Sequence, residues 1–263
     1  MITITVSNQR GGVGKTTTTL TLARHLAERG RRVLVIDTDS QGSVYLALGL
    51  HPQGWLHQFV NDGLSIKRVA TNVHERIDII CSDRRTMRVE VSLGAATAKE
   101  MIFCSLLSCV EQRYDAVLFD VAPSISHLQS CAIAYTKNVI VPVAMDALSI
   151  EGARSSLQTI EVLNHFLRLG CRCLGFLPTM VDHRLSATEL VLNALNSQSA
   201  SSGIPVLRGI RTDQAVNRAL RKQKFLHDFD RRSKALEDYG VACTEILRLL
   251  GHHDEQTETL PAR

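Results

Sequence analysis

No apolar stretch of the 263-residue chain approaches the roughly eighteen residues that a membrane span requires. The first strand-like run already begins at Ile2, so the expectation is a protein neither secreted nor inserted in a bilayer. Proline is scarce, six residues against sixteen glycines, and no linker, repeat or low-complexity tract interrupts the chain, which argues against a tail, an array or a collagenous sequence. Cysteine offers no disulfide framework. The seven residues at 81, 104, 109, 131, 171, 173 and 243 are odd in number and sit mostly in apolar segments, where Cys acts as a small core side chain. These absences point to a reduced, cytoplasmic protein.

What is present is ordinary globular composition, 44% hydrophobic and 21% charged. Short apolar runs at Ile2–Val6, Val33–Asp37, Ile77–Cys81, Ala116–Asp120, Val139–Val143 and Cys173–Leu177 read as buried strands. Between them, Lys15–Glu28, Ala98–Gln112, Ser126–Tyr135, Ile150–Leu169 and Ala187–Ser197 repeat apolar residues every three or four positions, the helical period. Strand, helix and strand in alternation predict an α/β fold, a mostly parallel twisted sheet covered by helices on both faces. Beyond Pro205 the strand signal fades, and helices over Asp213–Lys222 and Ser233–Leu250 close one domain spanning 1–251. The polar stretch 252–263 reads as a frayed tail.

The net charge of +4 is unevenly spread. Between Arg208 and Lys234 nine basic residues face three acidic ones, so this window carries +6 and the rest of the chain sums to −2. One basic segment on a balanced body is the distribution of a protein that meets a polyanion with one surface.

The first strand runs into Asn8-Gln9-Arg10-Gly11-Gly12-Val13-Gly14-Lys15-Thr16-Thr17 and then directly into a helix. Glycines let the backbone turn its N–H groups inward, the helix N-terminus adds its positive end, and Lys15 reaches the β and γ phosphates of a nucleotide. Thr16 offers its hydroxyl to Mg²⁺, and Thr17 reaches the α-phosphate. The usual G-x-x-x-x-G-K-[ST] spacing fails strictly, because position 9 is Gln. Asp37 and Asp120 each end a strand, and Asp39 follows two residues after Asp37. Ligands of open α/β sheets sit at the carboxyl ends of strands, so these three carboxylates should converge on the phosphate loop, to hold Mg²⁺ or to orient water. An Asp ending a strand also commonly caps the following helix, and taken singly each is open to that reading.

Arg10 through Thr17, Asp37-Thr38-Asp39-Ser40-Gln41-Gly42, and Tyr114-Asp115 leading to Asp120-x-x-Pro123-Ser124 resemble the deviant Walker ATPases of the ParA/MinD group. The likeness continues through Val141-Pro142-Val143, Glu151-Gly152, Thr179 to Arg184 and Asp228-Phe229-Asp230, nearly the whole chain. It is strongest to the small ParA type without a helix-turn-helix domain. This resemblance implies an ATPase of weak basal activity that binds ATP with Mg²⁺, forms a face-to-face homodimer and binds double-stranded DNA without sequence preference. It implies a nucleoid-associated role in plasmid or chromosome partition, with a ParB-like centromere-binding or cargo adaptor protein stimulating hydrolysis. Asp39 would position the hydrolytic water, Asp120 would support Mg²⁺ through water, and Asp37 would join Thr16 and Asp120 at the metal. Gly11, Gly12, Val13 and Gly14 would wrap the phosphates, with Thr179, Asp182, Ile210, Arg211 and Asp213 near the adenine. The family's signature lysine, which reaches the partner's phosphates, falls at position 10, where this chain has Arg. Arg keeps the charge, offers a bidentate fork and is larger. Ser40 replaces the usual Pro, and Arg211-Thr212-Asp213 stands where Pro-Arg-Asn is common.

Arg218, Arg221 and Lys222 are spaced to share one helix face, followed by Lys224, Arg231 and Arg232, a set able to neutralise several phosphates at once. A solvated helix face is the plain alternative. No aromatic interleaves the run, which favours duplex backbone over stacked single strands. A membrane-cycling ATPase would need a terminal amphipathic helix, and 252–258 is acidic and polar. An iron–sulfur carrier would need exposed cysteines, yet Cys171 and Cys173 lie in a strand. No Cys/His spacing matches a zinc site, so no metal beyond nucleotide-bound Mg²⁺ is expected. A metabolic enzyme on the same loop and an ATPase that positions a protein cargo on the nucleoid remain as alternatives.

Overall fold

Alternation along the strands decides which layer each side chain enters. The computed structural model describes residues 1–252. Its elements in chain order are β1 (Ile2–Val6), α1 (Lys15–Glu28), β2 (Val33–Asp37), α2 (Ser43–Leu48), α3 (Leu56–Val60), α4 (Ile66–Val69), β3 (Thr71–His74), β4 (Ile77–Ile80), α5 (Met87–Ala95), α6 (Ile102–Leu106), β5 (Ala116–Asp120), α7 (His127–Thr136), β6 (Asn138–Ala144), α8 (Ala147–Leu167), β7 (Arg172–Thr179), α9 (Ser186–Ser202), α10 (Gln214–Arg221), α11 (Leu226–Phe229) and α12 (Lys234–Leu249). Val33 and Val35 of β2 join Ile2, Ile4 and Val6 in a core under α1, α10 and α12. Leu34 and Ile36, one residue out of phase, pack with Val117 and Phe119 under α3, α5, α6 and α7 on the opposite face. A third cluster joins Val139, Val141, Val143 and Phe176 to α8 and α9. Burying each such Val, Leu or Ile contributes roughly 1.5–3 kcal/mol, enough to hold strands only five residues long.

The sheet order is β3-β4-β2-β5-β1-β6-β7, and only the β3–β4 edge pair is antiparallel. β1 lies between β5 and β6, so the chain leaves its carboxyl end near the middle of the sheet. No helix of the described residues is long and apolar enough to cross a membrane.

The six expected strands agree with the structure to within a few residues, β3 has no counterpart among them, and the residues that open the two late helical stretches prove to be N-caps. Asp213 accepts from the Ala215 amide and Ser233 from the Leu236 amide. The helix expected over Ala98–Gln112 is instead broken into a 3-10 turn at Lys99–Met101, α6, and a second 3-10 turn at Val110–Gln112. Phe103, Leu107 and Val110 are buried at helical spacing, and consecutive tight turns satisfy that spacing without a continuous helix. No disulfide joins the cysteines among the described residues, and Cys81, Cys131, Cys171 and Cys243 are buried. The tail expected over 252–263 lies, beyond His252, outside the described residues.

Candidate nucleotide site and basic surface

Strand register builds the site. Val6, the last residue of β1, pairs with Asp120, and Asp120 pairs with Asp37 across the next ladder. The phosphate loop and both strand-terminal carboxylates therefore emerge side by side at the carboxyl edge of the sheet, the place where open α/β sheets bind ligands.

The loop that follows β1 turns through left-handed backbone at Gly12 (φ 77°) and Gly14 (φ 86°), where a side chain would be strained. Gly14 caps α1 without a side-chain hydrogen bond, so the first-turn amides are left for an anion. Its approach is strapped down from the far side. Asn8 Nδ2 donates to the Pro142 and Ser149 carbonyls at 2.7 and 3.1 Å, while its Oδ1 accepts from the Arg10 amide at 2.8 Å. Gln9 Nε2 reaches the Ser155 carbonyl and Thr159 Oγ1, both at 3.3 Å. The α8 backbone can lie this close because residue 152 is glycine; a Cβ there would collide with Asn8 Oδ1 and come within 2.9 Å of the Arg10 nitrogen.

Lys15 is buried and turns inward, donating to the Arg10 carbonyl at 3.0 Å. Burial pushes its pKa down, against the pull of Asp120 and Asp39. Thr16 Oγ1 donates to Asp120 Oδ2 at 2.6 Å, and Thr19 Oγ1 lies 3.4 Å from Asp120 Oδ1. Asp37 is fully buried and accepts from the Asp39 and Val44 amides at 2.9 and 3.3 Å. Asp39, 8% exposed, accepts from the Gln41 amide. Burial and the neighbouring Asp120 charge raise the Asp37 carboxyl, and burial lifts Asp120 to about 6. Three buried carboxylates against one lysine leave negative charge uncompensated. The donor set of Thr16 hydroxyl and Asp120 carboxylate fits a hard divalent cation, which supplies the missing charge.

A cavity of about 170 Å³ opens beside the loop, lined by Gly14, Thr17, Thr179, Ile210, Arg211 and Asp213, with Met180, Thr212, Val216, Asn217 and Tyr239. That is smaller than the ~300 Å³ at the low end for whole drug-sized ligands, and suits one flat ring. Thr179 Oγ1 donates to the Val13 carbonyl and so ties β7 to the loop. Arg211 and Asp213 shape this cavity with groups already engaged. Arg211 forks onto Asp238 at 2.7 and 2.9 Å and onto Glu237 at 2.9 Å, while Asp213 caps α10 and accepts from Ser233 Oγ. Asp182 is not among the lining residues. Its carboxylate folds back on the Arg184 side chain and amide, bonds that hold it down at about 2. Met180, Val216 and Tyr239, unremarkable in sequence, become lining residues only because β7, α10 and α12 converge.

Arg10 is exposed and has no side-chain partner among the described residues. The basic window divides in two. Arg208 and Arg211 are engaged by the buried Asp238, whereas Arg218, Arg221, Lys222, Lys224, Arg231 and Arg232 are all exposed and make no ion pair among the described residues.

An AAA domain family model matches residues 1–169. The chromosome-partitioning ATPase Soj of Thermus thermophilus is 34% identical over 189 residues, 72% of this chain and 73% of that protein. The ATP complex of a point variant of Cyanothece McdA superposes with a TM-score of 0.83 at 18% identity, covering 97% and 98% of the two chains. Cobyrinic acid a,c-diamide synthase from Mycobacterium smegmatis, with a bound ATP analogue and magnesium, gives 0.80 at 25% identity over 95% and 96%. Loop, carboxylates, sheet order and relatives converge: this chain belongs to the ParA/MinD group of P-loop ATPases, and within it is most like the small ParA type.

Proposed function

We propose that the chain is a partition ATPase of weak basal activity that dimerises on Mg·ATP, binds duplex DNA through its basic surface, and is released when an adaptor protein stimulates hydrolysis. The observation that carries the chemistry is the convergence of Lys15, Thr16, Asp39 and Asp120 beneath the glycine loop. Loop amides and the Lys15 ammonium hold the β and γ phosphates. Thr16 Oγ1 and Asp120, with Asp37 behind them, would hold Mg²⁺, partly through water. When bound, that ion neutralises charge on the phosphate oxygens. Asp39 orients the attacking water; its oxygen bonds to the γ-phosphorus, the bond to the β–γ bridging oxygen breaks, and the electron pair leaves with ADP. The water's protons pass to solvent and phosphate. Arg10, solvent-facing and without a side-chain partner among the described residues, would reach a partner's phosphates across a face-to-face dimer.

Lys15→Ala should abolish binding of a fluorescent ATP analogue, and Asp39→Ala should bind ATP yet lose partner- and DNA-stimulated turnover. Normal hydrolysis by Asp39→Ala would place the water elsewhere. The likeness to a cobyrinic acid diamide synthase keeps a metabolic reading in view; rapid ATP turnover without DNA or adaptor would favour it. Whether the cargo is DNA or a protein assembly is set by the adaptor, and pull-down with the product of the neighbouring gene discriminates the two.

A further inference from the structure

Outside the nucleotide site, the end of α1 and the short α11 bring together His25, Glu28 and His227. His25 and Glu28 are three apart and share a helix face, and His227 arrives from the opposite element. The imidazole centroids are 4.2 Å apart, His227 Nε2 lies 3.4 Å from Glu28 Oε2, and one ligating atom from each of the three residues falls within 4.8 Å of the others. Both rings are buried, 8% and 3% exposed. His25 Nε2 and both nitrogens of His227 have no hydrogen-bond partner among the described residues. Buried polar atoms are almost always paired, so three orphaned nitrogens in one cluster point to a partner that is not protein.

The groups behind the three side chains already orient them. The Leu236 carbonyl of α12 hydrogen-bonds the His25 ring, necessarily at the nitrogen other than the orphaned Nε2. Such a backbone bond fixes a ligand's tautomer and leaves Nε2 free. Glu28 Oε1 is held by Arg24 at 3.3 Å, which leaves Oε2 facing His227. Tetrahedral zinc with bonds of about 2.0–2.1 Å sets neighbouring ligand atoms about 3.4 Å apart, the spacing Glu28 and His227 already have. Arg24, Arg29 and Arg231 oppose a cation here, and Glu28 with Asp228 offsets them. Burial, with Arg29 and Arg24, pushes His25 down to about 4, and burial, with His25 and the three arginines, pushes His227 down to about 3, the uncharged form that ligates.

We propose that His25, Glu28 and His227 hold a divalent first-row transition cation, zinc by its preference for imidazole and carboxylate, with the fourth position left to water. His227 comes from a stretch far along the chain from His25 and Glu28, which is why local Cys/His spacing gives no sign of the site. A cation here clips the helix that starts at the phosphate loop to the element lying between Lys224 and Arg231, the two halves of the basic surface.

The test is zinc binding to the untagged full chain, saturated with Mg·ADP so that the nucleotide site does not compete, and read by competition with a colorimetric chelator. One equivalent per chain is expected, with affinity lowered about tenfold or more in Glu28→Gln and in His227→Gln. Cobalt in place of zinc should give a d–d spectrum without a thiolate charge-transfer band, lost in Glu28→Gln. Glu28 is partly exposed, so that variant reads the site even if His227→Gln fails to fold. No retained zinc in the wild type, wild-type affinity in folded Glu28→Gln, or a thiolate band would each overturn the proposal. Equal binding by all variants would overturn it too, and would place the ion on the cysteines or on His252 and His253 instead.

Discussion

Asp120 is asked to stay charged in a place that disfavours charge. Burial raises its folded pKa to about 6 from 3.8, and Asp37 moves the same way. A carboxyl whose pKa rises on folding binds its proton more tightly in the folded state. Its stabilising effect is complete at low pH and is lost as pH rises through about 4 to 6. Asp120→Asn, free of nucleotide and Mg²⁺, should therefore be more stable than wild type at pH 8, by roughly 1–3 kcal/mol, with little difference at pH 4. Urea denaturation at the two pH values measures this. The same variant should lose Mg²⁺-dependent nucleotide affinity, the usual exchange between a strained site and stability. Equal stability at both pH values would show that Asp120 is already relieved by Thr16 and Lys15. At Arg10 the prediction concerns association: light scattering with a slowly hydrolysed ATP analogue should show dimers for wild type and monomers for Arg10→Ala. Unchanged dimers would remove Arg10 from the interface.

Among the elements, α8 does more than cover the sheet. Its Gly152 lets Asn8 and Arg10 dock on the helix, so the phosphate loop is braced from behind as well as wound from within. Gly152→Ala should push the Asn8–Arg10 stretch outward. An overpacking cost of about 1–3 kcal/mol falls on that stretch, and ATP affinity should drop about tenfold or more while circular dichroism stays unchanged. Retained affinity would mean the loop tolerates the shift. In sequence Gly152 is visible only through the Glu151-Gly152 resemblance, because nothing local announces a contact between segments so far apart in the chain. The strands and longer helices are legible for the opposite reason: alternation and helical period are local, so β1, β2 and β5 are readable to the residue. Residues 43–95 are not. Apart from β4, that stretch is built from α2, α3 and α4, of four to six residues, the edge strand β3 and the nine-residue α5, and most of these are too short to show a period. The broken helix over Ala98–Gln112 errs in the other direction, since its spacing is that of one helix and its backbone forms three short pieces. At the site, Lys15, Asp37 and Asp120 are readable from their places after strands. The occupation of Arg211 by Asp238 is not, because the partner arrives on α12.

At the scale of the whole molecule, the charge asymmetry seen in sequence becomes six exposed cations, unpaired among the described residues, on α10 and on either side of α11. In the function proposed above, one such face would bind duplex weakly, since non-specific affinities at physiological salt are about 10⁻⁴ to 10⁻⁶ M. Joining two faces in the proposed ATP dimer would raise avidity without any new contact, because the second face would engage at high effective concentration. On the proposed function, ATP would then govern DNA affinity although no basic residue of this set need touch nucleotide. The decisive measurement is fluorescence anisotropy of random-sequence duplex DNA titrated with wild type and with the Arg218→Glu, Arg221→Glu, Lys222→Glu triple variant, each with Mg·ATP analogue, Mg·ADP or no nucleotide. The account predicts tight, sequence-indifferent and steeply salt-dependent binding by wild type with the ATP analogue alone, and none by the triple variant, which still dimerises. Equal binding in all nucleotide states, strong preference for one sequence, or full binding by the triple variant would contradict it.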